Sequence, residues 1–216
     1  MKILELIFGR GRQSKRKTSH TRDTKETRIT VNLNIDGEGK SKINTGIGFL
    51  DHMLELFSFW GHFDLEIEAK GDLRVDIHHT NEDIGIVLGQ AFKKALGNKM
   101  GIKRIGSSSV PMEEVTASIA IDICGRASFK LDLLGKAVAY PLASAEEKYK
   151  MEYAEHFFEA LAQQLGANIN IKIENPSQDL HATLEPAFKA LGIALDQATQ
   201  IDPRRKGIPS TKGVID

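Results

Sequence analysis

Two stretches of the chain, residues 26–37 and residues 114–125, alternate apolar and polar positions and end at a glycine. This pattern is typical of a half-buried strand that runs into a turn. After each stretch, apolar residues recur at helical spacing, starting near Asp51 and near Glu155, which predicts an amphipathic helix. Each half then continues with a further strand pattern and a further helix that begins at a histidine.

The second half of the chain repeats the first. Residues 114–125 match residues 26–37 at an offset of 88, Glu155-His-Phe-Phe-Glu159 matches Asp51-His-Met-Leu-Glu55 at an offset of 104, and His181-Ala-Thr-Leu-Glu185 matches His78-His-Thr-Asn-Glu82 at an offset of 103. Since the matches recur in the same order, the sequence predicts an α+β fold. It would be a tandem duplication of a β/α unit, with two similar sheets and paired helices.

We expect the two repeats to span residues 25–97 and 112–200. A basic N-terminal arm (1–24), a linker (98–111) and a C-terminal tail (201–216) would lie outside them. Because the offset grows between the first and second matches, we also expect an insertion in the second repeat at residues 135–148, which contain Pro141 and a charged cluster.

Charge and cysteine content narrow the function classes. Lys plus Arg and Asp plus Glu both number 29, so the net charge of zero offers no general attraction to nucleic acid or to a membrane. The single cysteine, Cys124, excludes an intrachain disulfide, and we expect a buried strand residue rather than a nucleophile. A chain without an intrachain disulfide suits a reducing compartment. Together with the lack of an apolar stretch long enough to cross a bilayer, this favours a cytoplasmic protein.

The arm allows two interpretations. Its basic residues could contact RNA, or the arm could be frayed and solvated. We favour the second, because no aromatic residues that could stack on bases are interleaved with the charges. The basic residues are Arg10, Arg12, Lys15, Arg16, Lys17 and Arg22.

Five of the seven histidines fall in the repeated segments. In each repeat a histidine and a glutamate stand at i and i+4 on a helix start, so both side chains face the same way. Imidazole and carboxylate without thiolate suit a divalent ion such as Mn, Fe or Zn. The alternative is two helix starts with solvated histidines, but the repetition favours metal. The residues concerned are His52, His78, His79, Glu82, His156, His181 and Glu185; His20 and His62 have no repeat partner.

Nine motifs occur in order between about Arg22 and Ile215: RDTKET, TGIGFLDHML, GDLRVDIHHTNEDIGIVLGQAF, GIKRIG, VPMEE, DICGRA, EHFFEAL, HATLEPAFKA and PSTKG. In this order they resemble the motif set of the imidazole glycerol phosphate dehydratase family. The resemblance implies a lyase of histidine biosynthesis that dehydrates D-erythro-imidazole glycerol phosphate to imidazole acetol phosphate. It also implies two Mn2+ ions at subunit contacts of a homo-oligomer of 24 subunits, with the substrate ring held as a bridging imidazolate.

The resemblance also assigns residues. One metal would take His78, His156, His181 and Glu185, and the other His52, His79 and Glu82. The family's second motif is His-His-x-x-Glu, and here Ala182 replaces the second histidine, so we expect the second metal to bind weakly; Trp60 also departs from the family pattern. Glu26 would be the acid/base, and the phosphate would be bound by Arg104, Arg126, Ser210 and Lys212, with Lys189 either assisting or balancing Glu185.

Two other function classes stay open. Ala182 and Trp60 are compatible with a catalytically reduced or inactive paralogue that keeps the fold as a binding or structural assembly. An RNA-binding protein is less favoured, because the predicted strands carry no exposed aromatic pair. We therefore expect a small phosphorylated substrate as the partner, with no nucleic acid and no membrane.

Overall fold

The computed structural model describes residues 16–135 and 148–215. Within these residues the order strand, strand, strand, helix, strand, helix occurs twice. The first unit contains β1 (Lys17–Asp23), β2 (Thr27–Asn34), β3 (Ser41–Asn44), α1 (Gly48–Trp60), β4 (Asp64–Gly71) and α2 (His78–Leu96). The second contains β5 (Ile105–Met112), β6 (Val115–Asp122), β7 (Ser128–Leu134), α3 (Met151–Leu165), β8 (Asn168–Glu174) and α4 (Leu180–Thr199).

The two sheets have the same topology. Their strand orders are β1-β2-β4-β3 and β5-β6-β8-β7. In each sheet the first two neighbouring pairs are antiparallel and the last pair is parallel. The central registers also correspond, since Val31 lies opposite Ile67 in one sheet and Ile119 lies opposite Ile171 in the other. The predicted α+β duplication with two similar sheets is therefore confirmed.

Helices cover one face of each sheet and pack against each other across the two units. Alternate residues of β2 are buried, as its sequence pattern predicts, and they belong to one core that continues through both units. Helix α2 packs on β1 and β2, and α4 packs on β5 and β6. Between the units, α2 lies against α3 and α1 lies against α4. Each unit thus buries its helices against the other unit's helices.

Glycines allow the helices to approach closely at both contacts. A Cβ atom on Gly85 of α2 would lie 2.6 Å from the carbonyl oxygen of Phe157 in α3. A Cβ atom on Gly192 of α4 would lie 2.4 Å from the carbonyl oxygen of Phe57 in α1. No side chain fits at either distance, so glycine at these two positions allows each helix pair to pack this closely.

The predicted arm and linker need correction, because each contains a strand. Lys17–Asp23 forms β1 and Ile105–Met112 forms β5, and both lie at the edge of a sheet beside β2 or β6. The inward positions of β1 are the half-buried Thr18, His20 and Arg22 rather than apolar residues, so alternation of hydrophobicity does not reveal it. Residues 1–15, with Arg10, Arg12 and Lys15, and most of the predicted insertion (136–147) lie outside the described residues.

Three smaller expectations can be compared with the structure. Cys124 is buried, but it lies two residues beyond the end of β6. His20 has a structural contact, since its Nε2 lies 2.8 Å from Oε1 of Gln90. Across residues 16–135 and 148–215, none of the helices has both the length and the apolar character that crossing a membrane requires.

Candidate metal centres and substrate site

The first cluster consists of His52 from α1 with His181 and Glu185 from α4. The Nε2 atom of His181 donates to Oε2 of Glu185 at 2.7 Å, and Nε2 of His52 lies 3.6 Å from the same oxygen. The two imidazole rings stack with centroids 5.0 Å apart. Each residue offers one ligand atom, and the three atoms all lie within 4.8 Å of one another. The three side chains therefore converge on one point between the helices.

The second cluster consists of His156 from α3 with His78 and Glu82 from α2. The Nδ1 atoms of His78 and His156 lie 3.1 Å apart, and Nε2 of His78 lies 3.3 Å from Oε2 of Glu82. The cluster borders a groove of about 460 Å³ that is also lined by Glu159 and Gln163. Glu82 contacts His78 rather than His156, so the glutamate does not contact both histidines as Glu185 does in the first cluster.

The two clusters are equivalent in the duplication. His52 aligns with His156, and the His181–Glu185 pair aligns with the His78–Glu82 pair. In each cluster one unit supplies a single histidine and the other unit supplies the histidine and glutamate. This exchange follows from the packing of α1 against α4 and of α2 against α3.

The grouping within one chain differs from the two sets that the resemblance implies. We expected His181 and Glu185 to join His78 and His156, and we expected His52 to join His79 and Glu82. In the structure His52 lies with His181 and Glu185 instead, because α1 packs against α4 and not against α2. A single chain does not assemble either predicted set.

His79 points away from the second cluster toward Asp72. Its Nδ1 lies 3.1 Å from Oδ2 of Asp72, and this hydrogen bond is the main reason that the pKa of His79 is raised. Glu26, in the turn between β1 and β2, is exposed and close enough to add to that shift by its charge. Glu26, the predicted acid/base, and His79 therefore share one surface.

The second unit lacks this Asp–His pair. Ala182 stands where the first unit has His79, and it is only 5% exposed. The residues that can align with Asp72 are Asn175 and Pro176, and neither carries a carboxylate. Both members of the pair are thus replaced, so the second unit offers one imidazole fewer.

The side chains present fit a divalent first-row cation. Imidazole nitrogen and carboxylate oxygen are donors that such ions accept. Metal-bound histidines usually have a carboxylate partner on one ring nitrogen. His79 has such a partner in Asp72, which leaves its other ring nitrogen directed outward. Among the described residues, Oδ1 of that same Asp72 is buried with no hydrogen-bond partner. The chemistry of both clusters is that of a cation site.

Lys189 lies beside the first cluster. Its Nζ lies 2.5 Å from Oε1 of Glu185 and 5.9 Å from the centre of the Trp60 ring. Burial alone would raise the pKa of Glu185, but the hydrogen bonds from Lys189 and His181 outweigh it and lower the pKa. Glu185 therefore stays ionised, as a ligand must.

The four residues predicted to bind phosphate belong to three segments at the end of the second sheet. Arg104 donates to both carboxylate oxygens of Asp122 and to the carbonyl of Pro209, next to Ser210. The backbone of Arg104 also accepts from Ile123, close to the exposed Arg126. Ser210 Oγ accepts from the backbone of Lys212 at 3.2 Å, within a turn that ends at Gly213. Arg104 thus joins these segments, although its guanidinium is largely occupied by Asp122.

Arg104 lies far from the first cluster in a single chain. The backbone of Arg104 donates to the carbonyl of Ala198 near the end of α4, whereas His181 is at the start of the same helix. Ala198 is 17 positions after His181, which corresponds to about 26 Å of helix. One small substrate cannot reach both ends within one chain.

Sequence patterns did not indicate the hydrogen-bond partners around the candidate ligands. Asp72 precedes His79 by seven residues and lies in an irregular segment, so no periodicity relates the two. Asn81 stands inside the recognised histidine motif, and its complete burial marks it as a structural group. Its hydrogen-bond partner Tyr149 is equally buried. A buried polar position on a helix is a usable signal, but its partner comes from another element.

Comparison with known proteins gives consistent matches. The family model "Imidazoleglycerol-phosphate dehydratase" matches residues 45–195. An imidazoleglycerol-phosphate dehydratase of Geobacter metallireducens is 50% identical over 200 residues, covering 93% of this chain and 99% of that protein. The protein of the same name from Geobacillus kaustophilus is 48% identical over 194 residues, covering 90% and 96%.

Solved structures match at the level of the fold and the sequence. The crystal structure of IGPD from Pyrococcus furiosus in complex with (S)-C348 superposes with a TM-score of 0.73 at 35% identity, covering 90% of this chain and 99% of that one. The imidazoleglycerol-phosphate dehydratase of Staphylococcus aureus gives a TM-score of 0.71 at 31% identity, covering 86% and 99%.

Proposed function

This chain belongs to the imidazoleglycerol-phosphate dehydratase family, and we propose that it is the lyase that removes water from D-erythro-imidazole glycerol phosphate in histidine biosynthesis. The observation that carries the proposal is the pair of equivalent histidine–glutamate clusters, each of which has the donor set of a divalent cation site. The family match covers both clusters.

The reaction needs help at the ring, because the glycerol side chain has no carbonyl to acidify the departing proton. We propose two Mn2+ ions per subunit, which when bound supply positive charge that stabilises the substrate's deprotonated imidazole ring. His52, His181 and Glu185 would hold one ion, and His78, His156 and Glu82 would hold the other. Ligands from a neighbouring subunit, His79 among the candidates, complete these sets.

Glu26 is our candidate for moving the proton at carbon. It is exposed in the turn after β1, beside His79, so an incoming substrate can reach it. Arg104, Arg126, Ser210 and Lys212 would hold the phosphate by charge-assisted hydrogen bonds. Asp122 fixes Arg104 and raises its pKa, so this arginine stays charged and oriented.

The site needs a second subunit. Within one chain about 26 Å of α4 separates the first cluster from the segment that carries Arg104. We therefore propose a homo-oligomer in which one subunit's phosphate residues face another subunit's clusters. A closed assembly of 24 copies, as the resemblance implies, would pair every such surface.

Subunit mixing tests this arrangement. We expect His181→Ala and Lys212→Ala each to abolish or strongly reduce dehydration when assayed alone. After dissociation, mixing and reassembly with Mn2+, about a quarter of the sites in an equal mixture receive both intact surfaces, so activity should return. Mixing without dissociation is the control. If reassembled mixtures stay inactive while the wild type recovers, the site does not form between subunits.

Ala182 favours one alternative, a catalytically reduced paralogue that keeps the assembly. The test is ketone formation from the phosphate substrate with chelated and with Mn2+-restored protein. We expect activity only with the cation. A correctly assembled preparation that stays inert with every divalent ion would support the paralogue instead.

A further inference from the structure

Tyr149 is a fully buried residue that contacts the surroundings of both clusters. Its hydroxyl donates to Oδ1 of Asn81 at 2.6 Å, and burial raises the pKa of the hydroxyl so that it stays protonated as a donor. Its ring stacks on Phe49 of α1 with centroids 4.8 Å apart. The rings of Phe49 and His181 form a T-shaped contact, with their centroids 6.0 Å apart.

Asn81 links the two helices that carry the second cluster. It lies on α2 three residues after His78 and one before Glu82, and its Nδ2 donates to the carbonyl of Tyr153 on α3 at 2.6 Å. Tyr153 is three residues before His156. Because both side-chain ends of Asn81 are satisfied in a buried site, these bonds fix α2 relative to α3 at the level of the ligands.

A further bond strengthens the same link. The hydroxyl of Tyr153 donates to Oδ1 of Asp76 at 3.2 Å, and that oxygen also accepts from the backbone N–H of His78 at 3.0 Å. The start of α2 is therefore held from both sides of His78.

Among residues 16–135 and 148–215, the first cluster has no such polar link. Leu184 aligns with Asn81, and Phe49 aligns with Tyr153, so the corresponding contacts of α4 with α1 are apolar. The duplication thus provides an internal comparison. The helices of the second cluster are joined by hydrogen bonds, whereas those of the first cluster are joined by apolar contacts at the corresponding positions.

We propose that Asn81 and Tyr149 are positioning residues that hold His78 against His156 at the spacing needed to bind one divalent cation. The inference rests on the proposed function, in which the second cluster binds such an ion. Removing either residue should leave the ligands in place but allow α2 to shift against α3. The effect should be confined to the second cluster.

The experiment measures Mn2+ affinity of the full-length protein by electron paramagnetic resonance, in a His52→Ala background that weakens the first cluster. We expect Tyr149→Phe, and separately Asn81→Leu, to weaken Mn2+ binding about 10- to 100-fold. The double variant should lose little more than Asn81→Leu alone, because that change already removes the bond that Tyr149→Phe breaks. Tyr149→Phe keeps the stacked ring, so it decides the matter if Asn81→Leu fails to fold.

Ser58→Ala is the matched control. Ser58 is fully buried and its Oγ donates to the carbonyl of Phe63 at 2.7 Å, so its loss should lower the melting temperature without changing Mn2+ affinity. If Tyr149→Phe behaves like Ser58→Ala, the positioning role is overturned while the proposed function stands. If the His52→Ala background binds no Mn2+ at all although it assembles, the metal role of the second cluster fails, and this inference fails with it.

Discussion

Replacing Gly85 with alanine tests whether the spacing of α2 and α3 sets the geometry of the second cluster. The new Cβ would lie 2.6 Å from the carbonyl oxygen of Phe157, and ordinary contact begins at 3.4 Å. The helices must therefore separate by about 0.8 Å. Gly85 is seven residues from His78, two turns along the same face, so the opening extends to the pair of histidine nitrogens now 3.1 Å apart.

Two opposing terms determine the stability change. Overpacking a tight contact costs about 1–3 kcal/mol, whereas alanine in place of glycine favours a helix by about 1 kcal/mol. We expect a net loss of about 1 kcal/mol, which lowers the melting temperature by about 2–4 °C for a chain of this size. Mn2+ affinity at the second cluster should fall as well.

Calorimetric unfolding and Mn2+ titration of the same preparations provide the assay. Gly207→Ala is the control, because no heavy atom lies within 4 Å of the added Cβ and the backbone is not strained. Gly192→Ala should produce the corresponding loss at the first cluster. If Gly85→Ala loses stability but binds Mn2+ as tightly as the wild type, the helix spacing does not govern the ligand pair.

Three further outcomes follow from the site and the tail. Ala182→His should raise the affinity for the more weakly bound of the two proposed ions, as measured by titration calorimetry, and it should increase activity at low metal concentration. Two equal, tight metal sites in the unmodified protein would contradict this. Chelation should break down the proposed homo-oligomer, because ligands drawn from several subunits would couple metal binding to quaternary structure. Light scattering after complete metal removal tests this. Arg204 lowers the pKa of Asp202 by hydrogen bonding, so the stabilisation by this carboxylate is present above its unfolded pKa of about 4 and is lost as the pH falls below that value. Urea unfolding of wild type and Asp202→Asn should accordingly differ at pH 7 and converge in acid.

The elements with a clear hydrophobic period could be predicted from the sequence. β2 and β6 alternate and are buried on one face, and the helices that begin at His78 and at Leu180 follow the histidine segments. The internal repeat also predicted that the two halves have the same fold, because matching motifs occur in the same order in both halves.

The edge strands and the helix pairing could not be predicted in this way. β5 turns Gly106 and Ser108 toward α4, and a Cβ on Gly106 would lie 2.0 Å from the carbonyl oxygen of Ala194. Such a strand needs small residues, so it has no hydrophobic signature. The pairing of α1 with α4 is decided by tertiary packing, because the apolar periodicity of α1 does not specify which helix covers its apolar face. The membership of each cluster depends on that pairing.

The exchange of histidines between the two units bears on how such a chain could arise. A half-length polypeptide that dimerised through its helices would form two identical clusters, each completed by the twin molecule, and neither could change without the other. Joining the halves in one gene removes that constraint. Ala182 aligns with His79, and Leu184 aligns with Asn81. A homodimer of identical halves cannot carry such differences, whereas in this chain the two clusters can diverge while keeping one architecture.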